Sequence, residues 1–111
     1  MVKSHLRIRT DREFGKIYKF GRSTNSKNFY IKAVPNQLEH PRFGIVVSKK
    51  VSKKAVIRNK TKRRVREAAK KSLDSWKNVD LVFYIKNKLV EEPFQEVLDE
   101  VQTALKRAGV I

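Results

Sequence analysis

Between Lys49 and Lys71 the chain reads KKVSKKAVIRNKTKRRVREAAKK, a run that holds 12 of the 27 Lys and Arg residues against one acid, Glu67. Ammonium and guanidinium groups at this density bind polyanions. Arg presents planar, paired donors to phosphate oxygens, and Lys supplies a point charge. The spacing adds geometry. Stepping about 100° per residue from Ile57, as a helix does, Ile57, Thr61, Val65 and Ala68 cluster on one side, continued by Ala69. Asn59, Lys62, Arg63, Arg66 and Lys70 fall together on the other side, neighbours one turn apart. Such a helix clamps its apolar side to a core and offers a line of cations to a phosphate backbone. Each neutralised phosphate releases counterion, so binding should weaken steeply with salt. Asn59 can reach a base edge or a 2′-hydroxyl, or be an ordinary helix-start residue.

A merely solvated face normally alternates signs, and one acid against twelve bases does not. A helix lying on a membrane needs Leu, Phe or Trp on its apolar side; this one has alanine, threonine and β-branched residues. Nucleic acid fits best. The whole chain agrees, since its 111 residues carry a formal net charge of +16, and self-repulsion at that charge calls for a partner of opposite sign. Five of the eleven acids (Glu91, Glu92, Glu96, Asp99 and Glu100) lie in one segment. Binding is therefore expected to be one-sided and to leave the start of the C-terminal segment clear.

Other chemistry is thin. The chain has no cysteine, which excludes disulfides, thiolate nucleophiles and zinc–thiolate sites and fits a reducing compartment. His5 and His40 could serve a protein ribonuclease as acid and base, but neither has a carboxylate at suggestive spacing. Asp74 and Asp80 bracket the end of the basic helix and could share a metal ion; acids flanking a turn are more often caps. No phosphate-cradling glycine loop, zinc spacing or nucleophile elbow occurs, and no catalytic residue is assigned. No apolar run approaches a membrane span, and the N-terminus lacks an apolar signal region. A cytoplasmic protein is expected, without a membrane partner or a small-molecule substrate.

The elements that must position the basic helix follow from local pattern. Residues 1–9 read as an extended or mobile basic arm on a single RNA-binding domain spanning 1–111. Thr10 and Glu13 form a capping box for a helix from Asp11 to about Phe20, stopped at Gly21, with Phe14, Ile17 and Tyr18 on one face. Residues 28–34 and 42–48 read as strands that pair antiparallel across a Pro35–Pro41 loop, the second of them central. The basic helix starts between Lys53 and Val56, with Ser52 as a candidate N-cap, and ends before Trp76. Residues 80–85 form a third strand. Pro93 opens a last helix with a continuous apolar stripe, closed by Gly109. The fold class expected is α+β, a single-domain sandwich of order α-β-β-α-β-α, with room for the first strand region to split. Its sheet is central and mostly antiparallel, with a βαβ crossover.

The segment VSKKVSKKAVIRNKTKRRVRE, Val47 to Glu67, closely resembles the signature of the bacterial ribonuclease P protein subunit, above all at Arg58-Asn59-Lys60 followed by Lys62-Arg63 and Arg66. Arg12-Glu13-Phe14 with Tyr18 and Gly21 resembles that family's first helix and turn, and the likeness covers nearly the whole chain. It implies a subunit that assists removal of the 5′ leader from precursor tRNA, with the chemistry carried by a partner RNA and its magnesium ions. It implies that Lys49, Lys50, Lys53, Lys54, Arg58, Asn59, Lys60, Lys62, Arg63, Arg66 and Lys70 meet the catalytic RNA. Phe14, Tyr18, Tyr30 and Lys32 then line a cleft for the single-stranded leader. Stacking on an aromatic ring tolerates any base; for Phe14 core packing is an equal reading. Two departures stand out: Lys32 occupies a position where the family often has an aromatic, and Ser52 one where it often has glycine. The family's crossover is left-handed, against the general right-handed rule. A structural RNA-binding protein of the ribosome fits charge and size equally well, without accounting for the motif. A DNA-binding regulator would want a second helix, not a strand, before the basic one.

Overall fold

The computed structural model describes residues 6–111. Thr10 opens the first helix, α1 (Asp11–Phe20). Its hydroxyl accepts from the Glu13 amide, and the Glu13 carboxylate accepts from the Thr10 amide, both at 3.1 Å. That is the reciprocal capping box the sequence spells. The helix closes at Gly21, whose amide donates to the Ile17 carbonyl at 2.7 Å. Glycine is needed there for proximity. A Cβ would stand 2.4 Å from the Ile17 carbonyl oxygen and 2.9 Å from Lys32 Cβ.

Glu13 also pairs with Arg42 at 2.7 Å. Hydrogen bonds from Thr10, then the Arg42 guanidinium, hold its carboxyl down at about 2 against an ordinary 4.5. A depressed acid stabilises the fold fully above its unfolded value, and the contribution fades as pH falls through the folded one. The melting-temperature gap between the native protein and Glu13→Gln should therefore be constant near neutrality. It should narrow from about pH 4.5 downward and close near pH 2. A gap independent of pH across that window would remove Glu13 as an ionic anchor.

The remaining elements are β1 (Arg22–Asn25), β2 (Phe29–Pro35), β3 (Arg42–Val46), α2 (Ala55–Lys70), a 3-10 turn (Leu73–Ser75), β4 (Val79–Ile85) and α3 (Phe94–Arg107). The strands form one sheet in the order β1-β2-β4-β3. β1–β2 and β2–β4 are antiparallel and β3–β4 is parallel. The α+β class, the element order with its first strand region split, and the mostly antiparallel sheet are as expected, but two strand assignments need correction. The strands flanking the Pro35–Pro41 loop do not pair, because β4 lies between them. β3 sits at the sheet's end, and the nearly all-apolar β4 is an inner strand beside β2. The polar run Arg22–Asn25, without apolar alternation, is an edge strand held to β2 by its backbone ladder.

Residues 6–9, expected in an arm, run along the outer edge of β3. Arg7 bridges Phe43, the Ile8 amide donates to the Phe43 carbonyl at 3.1 Å, and Ile8 is buried. Covering an exposed edge in this way removes a site for unwanted strand pairing. The rest of the arm lies outside the described residues.

Period-two alternation divides the sheet's side chains. Phe29, Ile31, Phe43, Leu81, Phe83 and Ile85 pack with Val65, Ala68 and Ala69 of α2 and Val97, Val101, Ala104 and Leu105 of α3. On the other face a smaller cluster joins Ile17, Ile8 and Val82, with Phe14, Val34 and Tyr84 beside it. Helix α2 begins at Ala55, and its capping position, Lys54, makes no side-chain cap. Ser52 instead accepts from the Lys54 amide at 3.2 Å. Among the described residues no non-glycine has a positive φ, so serine in place of glycine at 52 carries no left-handed strain.

Candidate nucleic-acid interface

The apolar side of α2 is inside the molecule: Thr61, Val65, Ala68 and Ala69 are buried. With that side fixed, Asn59, Lys60 and Arg63 are exposed, and Lys62, Arg66 and Lys70 are half-buried on its flanks. Lys49, Lys50, Lys53 and Lys54, in the turn before the helix, are exposed. Among the described residues the ion pairs are Arg42 with Glu13 and Asp80, and Lys70 with Glu67 at a loose 3.7 Å. The rest of the basic stripe meets no carboxylate among those residues.

Two arginines of the helix have work inside the chain. Arg58 turns one guanidinium nitrogen back to donate to the Ser52 and Lys53 carbonyls, each at 3.0 Å. It thereby ties the lysine-bearing turn to the helix start, where a capping side chain is missing. Arg64, which the stripe left out, donates to the Glu92 carbonyl and lies over the Phe94 ring, 5.9 Å from its centroid.

A cleft of about 280 Å³ opens between α1, β3 and α2. Phe14, Gly44 and Ile45 form its apolar wall, Arg7, Arg9, Lys62 and Arg66 its basic one, and no acid among the described residues lines it. Phe14 sits on Gly44, where a Cβ would come within 2.7 Å of the ring. It is half-buried, packing against β3 while facing the cleft, so the two readings of this residue are compatible. Residues assigned separately to catalytic RNA (Lys62, Arg66) and leader (Phe14) share one cavity.

Further along α1, Tyr18 projects over the sheet and is 55% exposed. Beneath it Tyr30 stacks on Tyr84, with centroids 4.8 Å apart and planes at 14°, while Tyr18 meets Tyr84 edge-on at 5.7 Å. Lys32 Nζ stands 3.8 Å from the Tyr18 ring centroid and donates to the Tyr18 carbonyl at 2.8 Å. Burial pushes the Tyr84 hydroxyl up to about 12 and raises Tyr30 as well. Tyr84 has no role legible in the sequence. Its signal is the alternation Asp80, Val82, Tyr84 in β4, which points to the α1 side of the sheet only once β4 is known to lie beside β2, Tyr84 opposite Tyr30.

The other reactive candidates are accounted for. Asp80 takes two hydrogen bonds from Arg42, at 3.0 and 2.7 Å, and one from Asn36 at 3.0 Å. Asp74 lies exposed in the 3-10 turn. Among the described residues no three His, Cys, Asp or Glu side chains gather as a metal site. His40 is half-buried, with Nδ1 3.2 Å from the Pro41 carbonyl; His5 lies outside the described residues.

The profile of the family described as Ribonuclease P matches residues 2–109. Over 111 residues the sequence is 35% identical to the ribonuclease P protein component of Exiguobacterium sibiricum, covering 98% of this chain and 95% of that one. The fold matches the Staphylococcus aureus RNase P protein with a TM-score of 0.84 at 31% identity, covering 95% and 96% of the two chains. It matches the RNase P protein from Thermotoga maritima with a TM-score of 0.81 at 36% identity, covering 91% and 96%.

Proposed function

The chain belongs to the bacterial ribonuclease P protein family, and from that premise we propose how its two surfaces divide the handling of RNA. It is the protein subunit of a ribonucleoprotein that matures the 5′ end of tRNA. The exposed stripe of α2 and the Lys49–Lys54 turn bind the catalytic RNA, and Lys62 and Arg66, which also line the cleft, stand where the two surfaces meet. The cleft beside α1 takes the single-stranded 5′ leader of precursor tRNA. The partner RNA carries out hydrolysis, with magnesium engaged through that RNA and its interface with the protein.

One observation carries the leader assignment. An exposed Tyr18 ring, floored by the Tyr30–Tyr84 stack, stands along the same helix as a cleft walled by four cations and no described acid. Stacked rings suit bases of any identity, and a basic wall suits a backbone that must be held without being read.

Tyr18→Ala is the direct test. Stacking one base is worth roughly 1–3 kcal/mol, so affinity for precursor over mature tRNA should fall about 5- to 150-fold. Assembly with the catalytic RNA should be intact. An unchanged preference between the two tRNAs removes Tyr18 from the leader path. The division of labour is tested by reconstitution. The protein alone should cleave nothing, and added to its RNA it should strengthen precursor binding and lower the magnesium requirement. Cleavage by the protein alone under metal chelation would sink the reading.

A further inference from the structure

Lys32 stands in the middle of β2, on the face turned toward α1, opposite Val82. A lysine bordering a nucleic-acid cleft invites assignment as a phosphate contact, but its surroundings here argue for another role. Gly21 lies against its stem, so close that an added Cβ would be 2.9 Å from Lys32 Cβ. The side chain therefore rises past the end of α1 and delivers its ammonium to the helix's last turn. There it donates to the Tyr18 carbonyl at 2.8 Å, one of the terminal carbonyls a helix leaves without an internal donor. The negative end of the helix dipole adds to the attraction. The same nitrogen stands 3.8 Å from the centroid of the Tyr18 ring, within cation–π range.

Resting on the leader-cleft reading above, we infer that Lys32 is a positioning residue: it fixes the backbone and ring of Tyr18 and leaves the phosphate contacts to other cations. Its ammonium covers one face of the ring, and Tyr84 restrains the ring edge-on. More than half of Tyr18 is still open to solvent. A ring held in this way loses little freedom when a base stacks on its open face, so the base meets a preorganised platform. An ammonium already shared between a carbonyl and a ring has less counterion to release. Its effect on the leader should therefore run through Tyr18 and be insensitive to salt.

The experiment is a double-mutant cycle in the assembled ribonucleoprotein, with Lys32→Met, Tyr18→Ala and both together. Precursor and mature tRNA affinities are measured across a salt series, and melting curves verify folding. Lys32→Met should reduce the precursor preference about two- to fivefold, as befits a cation–π contact near the surface, with an unchanged salt slope. On the Tyr18→Ala background it should cost nothing more, the mark of residues acting as one unit. Lys32→Arg, which keeps a donor and a cation over the ring, should restore most of the preference. Equal losses on both backgrounds, with a salt slope shallower by about 0.7 as for one single-strand phosphate, would overturn the inference in favour of direct contact. Lys32→Met that melts lower yet keeps the full precursor preference would overturn it in favour of a purely structural role. Those outcomes leave the leader reading standing. A Tyr18→Ala variant with unchanged preference would instead defeat the leader reading, and this inference with it.

Discussion

Replacing Arg63 and Arg66 together by alanine is expected to weaken binding of the RNA partner by roughly a hundredfold to ten-thousandfold at low salt. Removing a hydrogen bond to a charged group costs roughly 1.5–3 kcal/mol, and about 1.4 kcal/mol is a factor of ten. The slope of log affinity against log salt should flatten by about 1.4–1.8 units, the share of two phosphates. Arg63 is exposed and Arg66 half-buried at the cleft, and neither meets a carboxylate among the described residues. The helix is anchored by Thr61, Val65, Ala68 and Ala69, so the melting temperature should hardly move. Arg64→Ala is the internal control. Its guanidinium binds the Glu92 carbonyl and covers Phe94, so it should lower the melting temperature and leave the salt slope alone. A double variant with an unchanged slope would mean that α2 does not face phosphate.

What could be read beforehand was what is local in the chain. The Thr10–Glu13 box, the stop at Gly21 and the division of α2 into an apolar and a basic side each depend on residues within a few positions of one another, and each is as expected. Strand order depends on pairings far apart in sequence. A loop bounded by two prolines between two apolar runs looks like a hairpin, and nothing in either run announces that β4 will come between them. That one error hid Tyr84, whose place under Tyr18 exists only in the β2–β4 register. It also hid the pairing of Arg42 with Asp80, which face each other across β3 and β4. The inward turn of Arg58 was hidden for a different reason. A helical wheel gives a side chain's angle but not whether a long guanidinium folds back past the helix start to carbonyls of the preceding turn.

Glu100 tests the same lesson on the acidic segment, which charge alone marks only as a region for RNA to avoid. Its carboxylate is turned inward. One oxygen accepts from the Ser26 hydroxyl at 2.6 Å and the Asn28 amide at 2.8 Å, and the other from Asn28 Nδ2 at 2.7 Å. Asn28 is buried, and its own carbonyl accepts from the Lys86 and Asn87 amides at 2.8 and 3.3 Å. The β1–β2 turn, the end of β4 and α3 are thus joined through one asparagine that the acid holds. Glu100→Ala would leave buried donors of Asn28 without acceptors, where breaking a charged hydrogen bond costs roughly 1.5–3 kcal/mol. With water entering to replace part of the loss, the net destabilisation should be about 2–4 kcal/mol. That corresponds to a fall in melting temperature of roughly 10–25 °C for a domain of this size. Glu100→Gln keeps one acceptor but aims an amide donor at donors, so its melting temperature should lie between those of the native protein and Glu100→Ala. Strand β2 also carries Tyr30 and Lys32, and a loosened turn should blur the leader cleft before it touches α2. Below its melting temperature Glu100→Ala should therefore lose preference for precursor over mature tRNA while retaining the native salt slope for the catalytic RNA. If both properties fell together, the cleft and the basic helix would be one energetic unit, and the two-surface division would be wrong.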